Sequence, residues 1–320
     1  MDFFDRAPHA GGAVYSVVVQ ARRLIGYAVS CLRHRKTALY LALSGGRGQL
    51  IDLIYVLISR LFRREIFIHH HSYSYINSSS LLNKCFFSIA KDASHVALTR
   101  GMGAALSRKY GLDTRKVRVV SNSAFFGVDA YTPRCTRPVT PEIRIGFLSN
   151  ITLEKGFVEF FAILRALKQQ GVAFKATIAG PLAASAREQF QSLMAGSTET
   201  EYIGPVYREA KQSFYEQLDV FVFPTKYPNE AEPLVLYEAM NSSTFVVACD
   251  RGAIREMIGD TGLVVPEASI VEGAADCIRH LSQNRAHLAS AQKAASSRMQ
   301  QLNAEAALEL RDFINCVLAI

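Results

Sequence analysis

Between Tyr227 and Met240 the chain reads YPNEAEPLVLYEAM, and Glu230, Glu232 and Glu238 crowd into nine residues of it. The run ahead, VFVFPT, reads as a strand entering a loop. Pro233 suits the first helical position, because its missing N–H would have no partner there. The backbone N–H groups of Leu234, Val235 and Leu236 are then left at a helix start. Such an end attracts phosphate through its unpaired donors and its dipole. Glu238 lies four residues past Leu234 and three past Val235, on the same helix face. Its side chain leans back toward the N-terminus, about 6 Å along the axis from the phosphate seat. That spacing suits a ribose whose two hydroxyls one carboxylate can accept. Glu230, in the loop ahead, would face the group beyond the phosphates. The competing reading is that acidic residues gather at helix starts for dipole reasons alone.

Two other groups carry chemistry. Lys155, in TLEKG, stands at another helix start, where a cation is mildly unfavourable without a function. His69, His70 and His71 end an apolar strand. Alternation puts His69 and His71 on one face and His70 on the other. Adjacent strand residues cannot converge on one metal, and no C-x-x-C or H-E-x-x-H accompanies them. For His70 the favoured role is packing.

The elements around these residues alternate. Strands are expected at 143–149, 173–180, 201–204, 220–224, 245–249 and 262–266. Helices are expected at 156–171, 184–195, 208–217, 233–242 and 252–258. Strands interleaved with helices imply a parallel sheet covered on both faces, which binds ligands at the carboxyl ends of its strands. The first half shows the same grammar. Helices are expected at 13–33 and 49–62, with strands at 38–44, 65–70, 97–99 and 116–122. Gly45, Gly46 and Gly48 turn a strand into a helix. A final helix is expected over about 301–317. Tyr131–Arg144 carries Pro133, Pro138 and Pro141 and reads as a linker. The division is therefore drawn as 1–138, 139–300 and a helix at 301–320 returning toward the first domain.

The 320 residues suit two domains. Six scattered cysteines favour a reducing cytosol over a disulfide framework. No signal peptide is visible, and Arg22 and Arg23 interrupt the most apolar stretch, which argues against a membrane span. The net charge of +8 divides unevenly: residues 1–140 hold 20 Lys and Arg against 7 Asp and Glu, and the rest holds 16 against 21. A basic half suits a polyanion or an anionic membrane face. No nucleic-acid motif or basic–aromatic interleaving is present.

Glu230-x7-Glu238 after a strand ending FPT resembles family-four glycosyltransferases. GFLSNITLEKG (146–156), YIGPVYREAKQSFYEQLDVFVFPT (202–225) and CDRGAIREMIGDTGLVVP (249–266) resemble that family's C-domain strands and loops. EIFIHHHSYSY (65–75) and VVSNSAFF (119–126) resemble segments of its first domain. The resemblance implies a GT-B fold, an α/β architecture of two Rossmann-like, doubly wound domains facing a cleft. It implies transfer with retention from a nucleotide sugar. Glu238 would hold the ribose and Glu230 would contact the sugar. Lys155 would neutralise the departing phosphate, helped by Pro233, Leu234 and Val235. His71, with His69 second, would face the reacting sugar. Val206 and Gly12, the latter in the AGG of the first glycine loop, join the donor-binding set. The family pairs its lysine with an arginine six residues earlier, where this chain has Ser149. The N-terminal domain is small for the family.

No cofactor or metal is expected, since no D-x-D is present. The expected partners are a nucleotide-sugar donor and a lipid-linked or polysaccharide acceptor. A cytoplasmic location is expected, with peripheral attachment to the inner face of the membrane through the basic half. The alternatives are a non-catalytic nucleotide-sugar-binding subunit or another GT-B enzyme, such as a nucleotide-sugar epimerase.

Overall fold

The computed structural model describes residues 13–34, 37–126 and 140–319. The chain forms two compact α/β units. Unit 1 runs to Val120 and takes in Glu309 onward, and unit 2 is Ser121–Leu308. The change of unit thus comes ahead of the prolines that marked the expected boundary, and residues 127–139 lie outside the described range. The segment after Val120 is bonded into unit 2. Ser121 Oγ donates to Glu232 over 2.7 Å, and Asn303 Nδ2 donates to the Ser123 carbonyl over 2.8 Å.

Unit 1 contains α1 (Ala13–Arg33), β1 (Ala38–Ala42), α2 (Gln49–Leu61), β2 (Glu65–His69), α3 (Ser74–Asn77), α4 (Leu81–Ile89), β3 (Ser94–Ala97), α5 (Arg100–Tyr110) and β4 (Val117–Val119). The strands are parallel and lie in chain order, β1-β2-β3-β4. Alternation along β2 divides its side chains between two faces. Phe67 packs with Val96, Val120 and Phe313. His70 stacks on His95 and Phe87 on the opposite face. The strand expected at 97–99 ends instead at Ala97. Thr99 caps α5, its hydroxyl accepting from Met102 N over 3.2 Å, and so draws the chain out of the sheet. Helix α4, which Ser80 caps in the same way, and α5 itself go beyond the elements expected from the sequence.

Unit 2 contains β5 (Ile143–Leu148), α6 (Phe157–Gln169), β6 (Phe174–Ala179), α7 (Arg187–Ala195), β7 (Thr200–Tyr202), α8 (Arg208–Glu216), β8 (Val220–Phe223), α9 (Leu234–Asn241), β9 (Phe245–Cys249), α10 (Ile254–Ile258), β10 (Leu263–Val265), α11 (Ile270–Gln283) and α12 (Arg285–Leu318). All pairings are parallel, in the order β10-β9-β8-β5-β6-β7. Both faces are buried. Ile143, Ile145 and Phe147 of β5 pack with α6 and α11, while Leu148 joins a second core with α8, α9 and α10. The helix expected over 301–317 is the second half of α12, whose 34 residues contain neither glycine nor proline to stop it.

Candidate functional site

In unit 2 the strand order reverses between β5 and β8. Loops leaving neighbouring strands at such a point part company and open a crevice at the carboxyl ends. Lys155 closes the loop after β5, and Glu230 lies in the loop after β8. The two loops are drawn together by backbone. Gly156, at φ +82°, lies so close to Pro224 that a Cβ would stand 1.9 Å from its carbonyl oxygen. Lys226 N donates to the Glu154 carbonyl over 2.7 Å. Gly252, in the loop after β9, presses on the Glu230 carbonyl in the same way, at φ +52°. Only glycine combines this approach with a positive φ.

The result is an ion pair at the crevice. Lys155 Nζ lies 2.6 Å from Glu230 Oε2, with side-chain exposures of 23% and 11%. Thr225 Oγ1 donates to the same carboxylate oxygen over 3.1 Å. The ammonium also stands 5.0 Å from the Tyr227 ring centroid, within cation–π range. A lysine that meets a carboxylate here can meet a phosphate instead, freeing the carboxylate for sugar hydroxyls.

Helix α9 begins beside this pair. Pro233 takes the cap position, in an extended conformation, and not the first helical position. Leu236 N donates to the Pro233 carbonyl over 3.1 Å. The donors that the helix start can turn to an anion therefore narrow to Leu234 and Val235. Leu234 is exposed and Val235 half-buried.

Glu238 is engaged on α8. Lys211 donates to Glu238 Oε1, and Tyr215 Oη donates to Oε2 over 3.1 Å. Lys211 and Tyr215 are four residues apart and share one face of α8. That spacing was present in the sequence, but only the fold turns it toward α9. Glu232, which had no role in the sequence reading, is buried. It accepts from Ser121 Oγ and from Asn122 N, each over 2.7 Å, and from Tyr237 Oη. Burial pushes its carboxyl up, against the pull of those hydrogen bonds. Val206 is half-buried against the core of α8, α9 and α10. Ser149 is buried, and its hydroxyl donates to the Asn150 carbonyl over 3.1 Å. Gly12 lies outside the described residues.

The histidines belong to unit 1. His71 is exposed just past β2, its ring centroid 4.0 Å from that of His69. His69 is hydrogen-bonded to Tyr40 Oη. Burial, then the neighbouring His71, lowers its imidazole to about 3. His70 is fully buried, its Nε2 3.0 Å from His95 Nδ1. Burial lowers His70 well below the usual imidazole range and His95 to about 4. Among the described residues no group of three or more His, Cys, Asp or Glu is placed to hold a metal ion.

Residues 142–284 match the sequence model of a family described as Glycosyl transferases group 1, a little under half of the chain. No curated protein sequence matches the chain. Solved structures do. HepE from Anabaena, in complex with UDP and glucose, is 17% identical with a TM-score of 0.70, covering 98% of this chain and 85% of its own. Sucrose-phosphate synthase from Thermosynechococcus elongatus is 16% identical with a TM-score of 0.70, covering 99% of this chain and 82% of its own. A point mutant of TarM from S. aureus, in complex with fondaparinux, α-GlcNAc-glycerol and UDP, is 16% identical with a TM-score of 0.70, covering 92% of this chain and 58% of its own. The chain has the two-unit α/β fold of GT-B glycosyltransferases, and its second unit carries the sequence pattern of glycosyl transferases group 1.

Proposed function

We propose that the protein transfers a sugar from a nucleoside diphosphate sugar to a glycan or lipid-linked acceptor, with retention and without a metal ion, as family-four glycosyltransferases do. The observation that carries this reading is the Lys155–Glu230 pair at the switch point of unit 2, beside the start of α9. When the donor binds, Lys155 moves from carboxylate to phosphate, and Glu230 accepts sugar hydroxyls. The Leu234 and Val235 N–H groups meet the phosphate oxygens. Glu238, steadied by Lys211 and Tyr215, accepts the ribose hydroxyls. The sugar–phosphate bond then breaks, the anomeric carbon bonds to the acceptor oxygen on the same face, and the acceptor proton passes to the leaving phosphate. Charge develops on that phosphate where Lys155 and the helix start already point. His71 is assigned to the reacting sugar by the family resemblance. HepE and TarM in complex with UDP make uracil the first base to test.

A non-catalytic nucleotide-sugar-binding subunit is the second reading. The observation favouring it is Ser149, buried and bonded to Asn150 where the family has an arginine. Thermal shift with UDP-, GDP- and dTDP-sugars tests the donor site. A donor at 100 times its Kd stabilises by about 2.7 kcal/mol. Glu238→Ala, folded and with its melting temperature kept, should lose most of that shift. An unchanged shift removes the ribose assignment.

A further inference from the structure

Helix α2 is built inside out. Its buried side carries Gln49, Asp52, Tyr55, Val56 and Ser59, and Asp52 is 0% exposed, accepting from Ser44 N over 2.7 Å. Its outward side carries Leu50, Ile54, Leu57 and Leu61, all exposed, Leu61 at 76%. Positions 50, 54, 57 and 61 fall on one line along the helix. A helix that merely covers a sheet puts the apolar line inward. Helix α1 packs against α2, with Tyr27 Oη 2.6 Å from Ser59 Oγ and the Tyr27 and Tyr55 rings 5.1 Å apart. It repeats the pattern. Tyr27 and Cys31 are buried, while Val18, Ile25, Val29 and Leu32 lie outward on one line, Leu32 64% exposed.

Charge says what covers these stripes. Residues 13–64 contain nine Arg and Lys and one acid, Asp52, and that acid is the buried one. Arg22 sits in the outward line of α1, and Arg33, Arg47 and Arg63 are exposed around the two helices. Asp92, near Arg60 at 3.6 Å, is an acid from outside the segment that reaches it. A second copy of this chain would bring the same basic surface against itself. A surface that is apolar beneath and anionic at its face complements the stripes. Among the described residues no helix is long and apolar enough to cross a membrane, so the contact is interfacial.

We infer that the α1–α2 face of unit 1 docks on an anionic lipid bilayer, the leucine and isoleucine stripes entering the headgroup region and the arginines meeting lipid phosphates. The contact requires no sugar donor, so it stands or falls apart from glycosyl transfer. Co-sedimentation of the full chain with vesicles tests it. Equimolar phosphatidylcholine and phosphatidylglycerol vesicles should bind the protein, and phosphatidylcholine alone should not. Raising salt from about 0.05 to about 0.5 M, which shortens the Debye length roughly threefold, should release most of it. Arg22→Gln with Arg33→Gln should weaken binding by roughly fivefold per arginine. Leu57→Ser with Leu61→Ser keeps every charge and both residues are exposed, so folding is retained; it should weaken binding by about tenfold. Wild-type binding by the serine variant, equal binding to neutral vesicles, or no binding to anionic ones overturns the inference. So does a dimer in solution that the serine variant disperses.

Discussion

Lys155 and Glu230 reach each other from loops 75 residues apart in sequence, and each balances the other's charge. Lys155→Ala should therefore lower turnover by about 10²–10³, the loss seen when one preorganised donor at a developing charge is removed. Ser149 supplies no second cation nearby, which makes the dependence on Lys155 stronger. Steady-state kinetics on the folded variant reads it, and a rate within about threefold of wild type would place the phosphate charge elsewhere. The buried histidines make a separate prediction. His70 and His95 are held neutral, His95 down to about 4, against 6.5 when free. Between those values the unfolded chain binds more protons than the folded one. Stability is complete above pH 6.5 and falls as pH drops through that window, by up to about 1.4 kcal/mol per pH unit for each histidine. Glu232, held up by burial, acts in the opposite sense, so melting is compared with His95→Phe, whose profile should be flatter. Equal slopes would show that the histidine pair does not titrate on unfolding. At this scale the sequence displayed Glu230, Glu238 and Lys155, because each follows a strand or opens a helix. It hid Thr225, Lys211 and Tyr215, because their partners are set by how loops and α8 pack.

Loops, held by glycines, set the position of the site. Gly252 presses on the backbone of Glu230, and an added Cβ would stand 2.0 Å from the Glu230 carbonyl oxygen. Gly252→Ala must shift the loop that carries Glu230. The expected cost is about 2–4 kcal/mol of stability and a loss of turnover larger than the change in donor affinity. Melting temperature together with kcat and KM checks this; a variant with wild-type kcat would free Glu230 from that loop. Periodicity marked every strand of unit 2 within a residue or two, because a parallel sheet buried on both faces writes continuous apolar runs. It misplaced β3 in unit 1, where Thr99 belongs to the cap of α5. It marked only 301–317 of α12 and missed its first half, where Leu288, Ala295 and Met299 pack at helical spacing among small and polar residues. For α2 it marked the helix at 49–62 but not which side faces outward, which only the packing of Tyr27, Tyr55 and Ser59 decides.

Over the whole molecule, two charge patterns coincide with two units. The basic one carries outward apolar stripes, and the acidic-leaning one carries the ion pair at a reversed sheet. The α/β class and the twofold division were legible from alternating strands and helices. The place where the chain changes unit was not, because Ser121 bonds to Glu232 across 111 residues of sequence and Ser123 to Asn303 across 180. Glycosyl transfer at the Lys155–Glu230 pair is tested by one assay. Release of nucleoside diphosphate from UDP-, GDP- and dTDP-sugars is followed for wild type and for folded Glu230→Ala. Wild type should turn over at least one donor, and Glu230→Ala should be slower by about 10²–10³. Equal rates in the two proteins, or no turnover of any donor by wild type supplied with glycan and lipid-linked acceptors, would contradict it.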